Sequence, residues 1–129
     1  MFTWAILFGH LAADYLLQTK TMAIRKSEKT REGLAWCLCH CAVYSVCICL
    51  SAWEFNLLLF TLVFLSHYPI DRYSLADKWL KLIKGRDFGS AYESKDRYRE
   101  FDIAFTCLVY AVTDNTMHLV LLYVIFAVL

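Results

Sequence analysis

The chain has 129 residues, of which 60% are hydrophobic and 19% are charged, and its formal net charge is +1. Soluble domains carry about a quarter charged residues, so this composition and a mean hydropathy of +0.47 exclude an ordinary soluble domain. One proline and four glycines predict long uninterrupted elements rather than many turns. The predicted partner is therefore a lipid bilayer, and no nucleic-acid partner is expected.

Four long apolar segments follow one another along the chain, at about residues 2–18, 34–52, 55–73 and 103–129. A membrane-spanning helix needs about 20 mostly apolar residues, so the first segment is slightly short and the fourth can cross at a tilt. Backbone groups find no partners in the bilayer core, which makes spanning segments of this kind helical. No basic region precedes the run that starts at Phe2, so we expect a retained span rather than a cleaved signal. The predicted fold is all-α, a single polytopic membrane domain of four transmembrane helices.

The basic residues lie in two loops. Five lie between the first and second spans: Lys20, Arg25, Lys26, Lys29 and Arg31. Eight lie between the third and fourth spans: Arg72, Lys78, Lys81, Lys84, Arg86, Lys95, Arg97 and Arg99. The turn at residues 53–56 has none. By the positive-inside rule both long loops face the cytoplasm and both termini lie outside, as a multi-pass protein of the bacterial inner membrane.

The second basic loop contains an amphipathic segment. Its apolar face consists of Leu75, Trp79, Leu82 and Ile83, and its charged face of Asp77, Lys78, Lys81 and Lys84. This pattern predicts a short helix lying on the inner membrane surface, while a soluble helix packed on the bundle fits it equally well. Residues 85–101 are predicted to form a polar loop.

Five of the six cysteines lie in the second span, at Cys37, Cys39, Cys41, Cys47 and Cys49. Their spacing matches neither a disulfide framework nor a zinc ribbon. We predict free thiols that serve as small apolar side chains, and a thiolate metal site is the alternative.

Each predicted span carries one histidine, and three aspartates accompany them at helical spacing. The pairs are His10 with Asp14, His67 with Asp71, and Asp114 with His118, while His40 stands alone. Residues four apart lie on the same face of a helix. Ionisable groups inside a membrane are costly, so they face the bundle interior and pair or bind an ion. We therefore predict that all seven residues are metal ligands.

The mixed nitrogen and oxygen ligand set favours Zn, with Mn or Fe as alternatives. Bundle cores build such sites from residues of facing helices, and seven ligands exceed the needs of one tetrahedral ion, which raises the prospect of two neighbouring ions. The open alternatives are a structural polar network, a bis-histidine haem and a proton relay. Because His118 lies deep in a span that starts at Ile103, we expect the fourth helix to begin earlier or to tilt.

These residues also carry a resemblance. The segments GHLAADYLLQT, SHYPID and TDNTMH, with the lone His40 between them, resemble an uncharacterised family of small bacterial and phage membrane proteins. The family pattern is H-x3-D-x3-Q, a lone H, H-x3-D, and D-[QN]-x2-H, and the resemblance is weakest at residues 85–101. It is distantly similar to the LexA-regulated, membrane-bound metal-dependent hydrolases. The matching positions are His10, Asp14, Gln18, His40, His67, Asp71, Asp114 and His118, and Asn115 stands where glutamine is commoner.

The spacing of the residues predicts the metal, and the resemblance implies a hydrolase. The leading hypothesis is therefore a membrane-embedded, metal-dependent hydrolase that acts on a lipid or a lipid-linked phosphate or ester at the inner leaflet. A bound metal would activate water, and one of Asp14, Asp71 and Asp114 would act as general base.

Further residues are candidates to support the site. Four polar residues lie nearest to the predicted ligands and are candidates to hold them in place or to orient substrate. They are Gln18, Ser66, Thr113 and Asn115. Arg72 follows Asp71 and can receive a phosphate headgroup or serve as an anchor at the inner interface.

The alternative function is non-enzymatic: a metal or a His–Asp network clamps the four helices, and the protein acts through a membrane partner or as an oligomer. An open coordination position distinguishes a catalytic site from such a closed one. An ion carrier needs a polar path to the outer face. The second span offers only Tyr44, Ser45 and Ser51 there, which argues against a carrier.

Overall fold

The computed structural model describes residues 3–129, and their regular secondary structure is entirely helical. The helices are α1 (Trp4–Leu11, continued by a π-helical turn, Ala12–Leu16), α2 (Lys20–Arg25), α3 (Arg31–Ala52), α4 (Leu57–Arg72), α5 (Leu75–Trp79, continued by a π-helical turn, Leu80–Lys84), α6 (Phe88–Glu93) and α7 (Arg99–Val128). The predicted all-α class is confirmed.

Two helices, α3 and α7, are long and apolar enough to cross a membrane. The other two predicted spans are shorter than expected, because α1 has 8 residues before its π-helical turn and α4 has 16. At 1.5 Å per residue, α4 is about 24 Å long, which is less than the roughly 30 Å of a bilayer core. Within residues 3–129, length and composition therefore identify two candidate membrane helices rather than four.

Local capping explains where the central helices begin and end. Thr30 caps α3 by accepting a hydrogen bond from the Gly33 N–H at 2.9 Å, and Asn56 caps α4 through the Leu58 N–H at 2.8 Å. Between them, Trp53 adopts the left-handed conformation that ends α3, with φ of 54°. The predicted turn at residues 53–56 thus makes α3 and α4 an antiparallel pair.

The core lies among α1, α3, α4 and α7. It consists of Ile6, Ala13, Tyr44, Ile48, Cys49, Leu59, Val63, Leu122 and Phe126. On each long helix these residues are spaced mostly four apart, which places them on one face. All six cysteines are free, and three of them are buried as small side chains, as expected.

The fourth helix begins at Arg99, four residues before the predicted start of its span at Ile103. The expected earlier start is therefore confirmed, but it puts His118 farther from the beginning of the helix and does not reduce its depth. His118 is indeed buried.

The predicted structure of the segment between α4 and α7 is an amphipathic helix followed by a polar loop. The helix α5 and its π-helical turn pack on the bundle through Ala76 and Leu80, and Leu82 and Ile83 of the predicted apolar face are exposed, as on a helix that lies on a membrane surface. The polar loop predicted at residues 85–101 is wrong, because it contains α6. Asp87 caps this helix by accepting a hydrogen bond from the Ser90 N–H at 2.8 Å. The helix was not predicted because it is short and contains glycine and serine, which have low helix propensity.

A close approach between α1 and α3 depends on the absence of a side chain at Gly9. A Cβ atom at Gly9 would lie 2.7 Å from Ser51 Cβ and closer still to Ser51 Oγ. We expect Gly9→Ala to destabilise the protein by about 1–3 kcal/mol, the usual cost of overpacking, in thermal unfolding of the detergent-solubilised protein. Ser51→Gly in the same chain should restore much of the loss. Independent effects of the two substitutions would contradict this packing.

Candidate metal centre

The predicted ligands continue the buried faces of the long helices. His67 follows Val63 by four residues on α4, and His118 precedes Leu122 by four on α7. His40 likewise precedes Tyr44 by four on α3. The same periodicity that builds the apolar core therefore carries the histidines into the interior, where His10, His40, His67 and His118 are all buried.

The centre of the cluster is formed by His40, His67 and Asp71. The two imidazole Nε2 atoms lie 3.1 Å apart, and Asp71 Oδ2 lies 3.2 Å from His40 Nε2 and 3.0 Å from His67 Nε2. Ligand atoms around a tetrahedral zinc ion with bonds of 2.0–2.1 Å are about 3.3 Å apart. The three atoms therefore have nearly the mutual spacing of ligands on one ion.

Two more residues extend the cluster on opposite sides. Asp14 Oδ1 lies 3.2 Å from His40 Nε2, and His118 Nε2 lies 3.5 Å from Asp71 Oδ1. The result is two groups of potential ligands that share His67, one with Asp14 and His40 and the other with Asp71 and His118. Both groups can hold a metal ion, and cysteine sulfurs take part in neither.

The cluster is incompletely satisfied by its own hydrogen bonds. Five buried side-chain atoms lack a hydrogen-bond partner among the described residues: both carboxylate oxygens of Asp14, Nδ1 of His40 and of His67, and Nε2 of His118. Buried polar atoms without partners are rare in native proteins. Three carboxylates and the ammonium of Lys26 also leave a formal charge of −2 when the histidines are neutral. A divalent cation would satisfy both requirements.

His10 and Asp114 lie at the edges of the cluster, outside both groups. His10 Nε2 donates to Asn115 Oδ1 at 2.6 Å, so its neutral Nδ1 is left to accept from the Tyr44 hydroxyl at 2.8 Å. Asp114 contacts His118 alone among the cluster residues, at 3.6 Å. Five of the seven predicted ligands thus converge, and these two flank them.

The predicted supporting residues divide into two sets. Gln18 lies 3.0 Å from His40 Nε2 through its side-chain amide, and Asn115 orients His10. Ser66 instead donates to the Val63 carbonyl of its own helix, and Thr113 borders an apolar groove. Arg72 donates to the main-chain carbonyls of Lys26 and Glu28, which is a structural role.

Two residues of the site were missed from the sequence. Tyr44 stacks on the His67 ring with centroids 3.7 Å apart, and its position one turn after His40 was a usable signal. Lys26 Nζ donates to Asp71 Oδ2 at 2.8 Å, but nothing in the sequence separates it from the other basic loop residues. Burial acts to lower the pKa of Lys26, yet the Asp71 carboxylate outweighs this effect and the pKa is raised, so the ammonium stays charged.

A cleft of about 170 Å³ opens onto one side of the cluster. Asp14, Gln18, Lys26 and Asp114 contribute polar atoms to its lining. The cluster is therefore closed on the side of the apolar core and accessible from the side of α2 and α7.

Comparison with known proteins identifies one protein family. The family described as "Protein of unknown function (DUF3307)" matches residues 2–129. The searches of curated proteins and of solved structures found no match. The expectation of an uncharacterised family is confirmed, while the finer similarity to LexA-regulated hydrolases stays a prediction.

The Tyr44 hydroxyl links α3 to α1 through His10. We expect Tyr44→Phe to lower the free energy of unfolding by about 1 kcal/mol, since it leaves His10 Nδ1 buried without its donor. Thermal unfolding in detergent measures the effect, with the exposed Tyr92→Phe as control. Equal stability of the two variants would show that the Tyr44–His10 contact contributes nothing.

Proposed function

The chain belongs to the DUF3307 family, and we propose that it is a membrane-embedded, metal-dependent hydrolase. The observation that carries the proposal is the convergence of five histidine and aspartate residues, four of them buried, from four parts of the chain, several with atoms that lack hydrogen-bond partners. Such a set is costly inside an apolar bundle unless it binds a cation.

A four-span arrangement accommodates this site. The outward faces of α1 and α4 are apolar and exposed, at Trp4, Phe8, Leu57 and Leu65, which suits contact with lipid chains. Local thinning of the bilayer allows helices shorter than its core to cross it. With both basic loops in the cytoplasm and both termini outside, the cleft beside Lys26 faces the inner leaflet of the bacterial inner membrane.

The proposed cofactor is a divalent transition metal, with Zn favoured over Mn or Fe because the ligand atoms are imidazole nitrogens and carboxylate oxygens. The two ligand groups share His67, and Asp71 presents one oxygen to each side of the cluster. If two ions are bound, Asp71 would help to hold both of them.

A bound divalent cation supplies Lewis acidity and lowers the pKa of a coordinated water toward neutrality. Among the aspartates, Asp114 is best placed as general base, because its side chain has the fewest partners in the cluster and borders the cleft. Asp71 is fully engaged by three histidines and Lys26. In the proposed hydrolysis, the oxygen of water would bond to phosphorus or to an acyl carbon, and the bond from that atom to the departing oxygen would break. Asp114 would take one proton from the water and pass it to the departing oxygen, while the other proton stays with the acid that is formed.

A lipid substrate is supported by an apolar groove of about 540 Å³ between α4, α5 and α7. Two of its lining residues, Ile70 and Thr113, adjoin Asp71 and Asp114 in sequence. The groove would hold an acyl or polyprenyl chain against α4 and α7, two of the helices that carry cluster residues.

The competing function is a non-enzymatic clamp that acts through a membrane partner. The hydrogen bonds of His10 with Tyr44 and Asn115 favour it, since they tie α1, α3 and α7 together. The cleft beside Asp14 and Asp114 favours the enzyme, because a purely structural site is closed.

Metal binding is the first test. Protein purified without chelator should contain a transition metal by plasma mass spectrometry, and His67→Ala should lose most of it, since His67 belongs to both ligand groups. Ser66→Ala, at the adjacent position of the same helix, is the control that should keep it. Wild-type protein without metal would rule out the proposal.

Hydrolysis is the second test, by product release from phospholipids and polyprenyl phosphates. Asp114→Asn should keep the metal but slow turnover by roughly 10²–10⁴-fold, the usual contribution of a general base. Asp77→Asn, outside the cluster, should have little effect. A metal-loaded wild type inactive on every such substrate would favour the clamp.

A further inference from the structure

Lys26 differs from every other lysine in its surroundings. The remaining six lysines are exposed, whereas the Lys26 side chain is 13% exposed and its Nζ lies 2.8 Å from Asp71 Oδ2. Lysine is rarely buried to this degree without a specific partner. Asp71 occupies one of its three N–H donors, and the ammonium retains donors for a second acceptor.

The turn that carries Lys26 is held from two sides. Arg72 donates to the main-chain carbonyls of Lys26 and Glu28. Gly33 of α3 lies close to the same turn. A Cβ atom added to Gly33 would lie 2.7 Å from the Arg25 carbonyl oxygen. A fixed segment of backbone therefore holds the Lys26 ammonium next to the cluster. An ammonium held in this way is better suited to ligand binding than that of a mobile surface lysine.

The cleft beside Lys26 has the size for a small oxyanion and places an ammonium in its lining. Its volume of about 170 Å³ accommodates several water molecules. Lys26 is the cation of its lining, and Gln18 contributes an amide. Asp14 and Asp114 line the same cleft and would repel an anion, so an anion can enter only when their charge is offset.

We propose that Lys26 binds a phosphate group of the substrate in this cleft, next to the metal centre. The inference rests on the proposed function, because a divalent cation on the cluster is what offsets the two carboxylates. An ammonium and a neighbouring metal ion are a usual pair of partners for phosphate oxygens. Lys26 thereby takes the role that the sequence suggested for Arg72, whose guanidinium is engaged by backbone carbonyls.

The test measures phosphate and zinc on the same samples. Zinc-loaded protein in maltoside micelles is dialysed to equilibrium against radiolabelled inorganic phosphate, and zinc content is determined in parallel. Lys26→Met and Lys26→Gln should keep zinc but bind phosphate roughly tenfold more weakly or worse, the loss expected of one charge-assisted hydrogen bond. Lys26→Arg should retain most of the binding. The matched control is Lys20→Met, on the exposed start of α2.

The outcomes separate the two proposals. Unchanged phosphate affinity in the zinc-loaded Lys26→Met and Lys26→Gln variants would overturn the inference and leave the metal site intact. Loss of zinc from both variants would also overturn it, because Lys26 would then be a structural partner of Asp71. A wild type without zinc would overturn the proposed function itself, and this is read from the metal measurement alone.

Competition identifies the source of the phosphate. Phosphatidic acid in the micelles should displace the radiolabel if the group belongs to a lipid headgroup, and glycerol 3-phosphate alone should do so if it belongs to a soluble compound. Displacement by neither compound would contradict a phosphate site at Lys26.

Discussion

The structure depends on the burial of one carboxylate, that of Asp71. Its two oxygens contact His40 on α3, His67 on α4, His118 on α7 and Lys26 in the turn after α2. A lone carboxylate in an apolar interior would cost several kcal/mol, so four parts of the chain must arrive together to stabilise it. The packing of the helices and the position of the site are therefore consequences of the same requirement.

The surroundings of the Asp71 carboxylate differ between the two sides of the cluster. On one side, the buried faces of α3, α4 and α7 continue as leucine, isoleucine and phenylalanine, which exclude water from the cluster. On the other side, Lys26 and Asp114 border a cleft. The cluster is thus covered by apolar side chains on one side and borders a cleft on the other, whereas a purely structural metal site is closed.

Periodicity made much of this arrangement predictable. His67 with Asp71 and Asp114 with His118 lie four apart, so each pair had to share a helical face, and the buried positions of His40, His67 and His118 follow from the same rule. Lys26 was not identified because its role arises from a contact between helices, which a single sequence does not specify, whereas the position of Tyr44 one turn after His40 was a signal that was overlooked. The short helix α6 was missed because its stability comes from packing on α7 and one Asp87 cap rather than from helix propensity.

X-ray absorption at the zinc edge tests the central claim most directly, because it reports the ligand atoms themselves. The cluster predicts nitrogen and oxygen neighbours at about 2.0–2.1 Å with the multiple scattering of imidazole rings and no sulfur. The chain has six free cysteines, so a thiolate metal site is the alternative to the histidine and aspartate site. Sulfur neighbours at about 2.3 Å would place the metal on those cysteines and contradict the account.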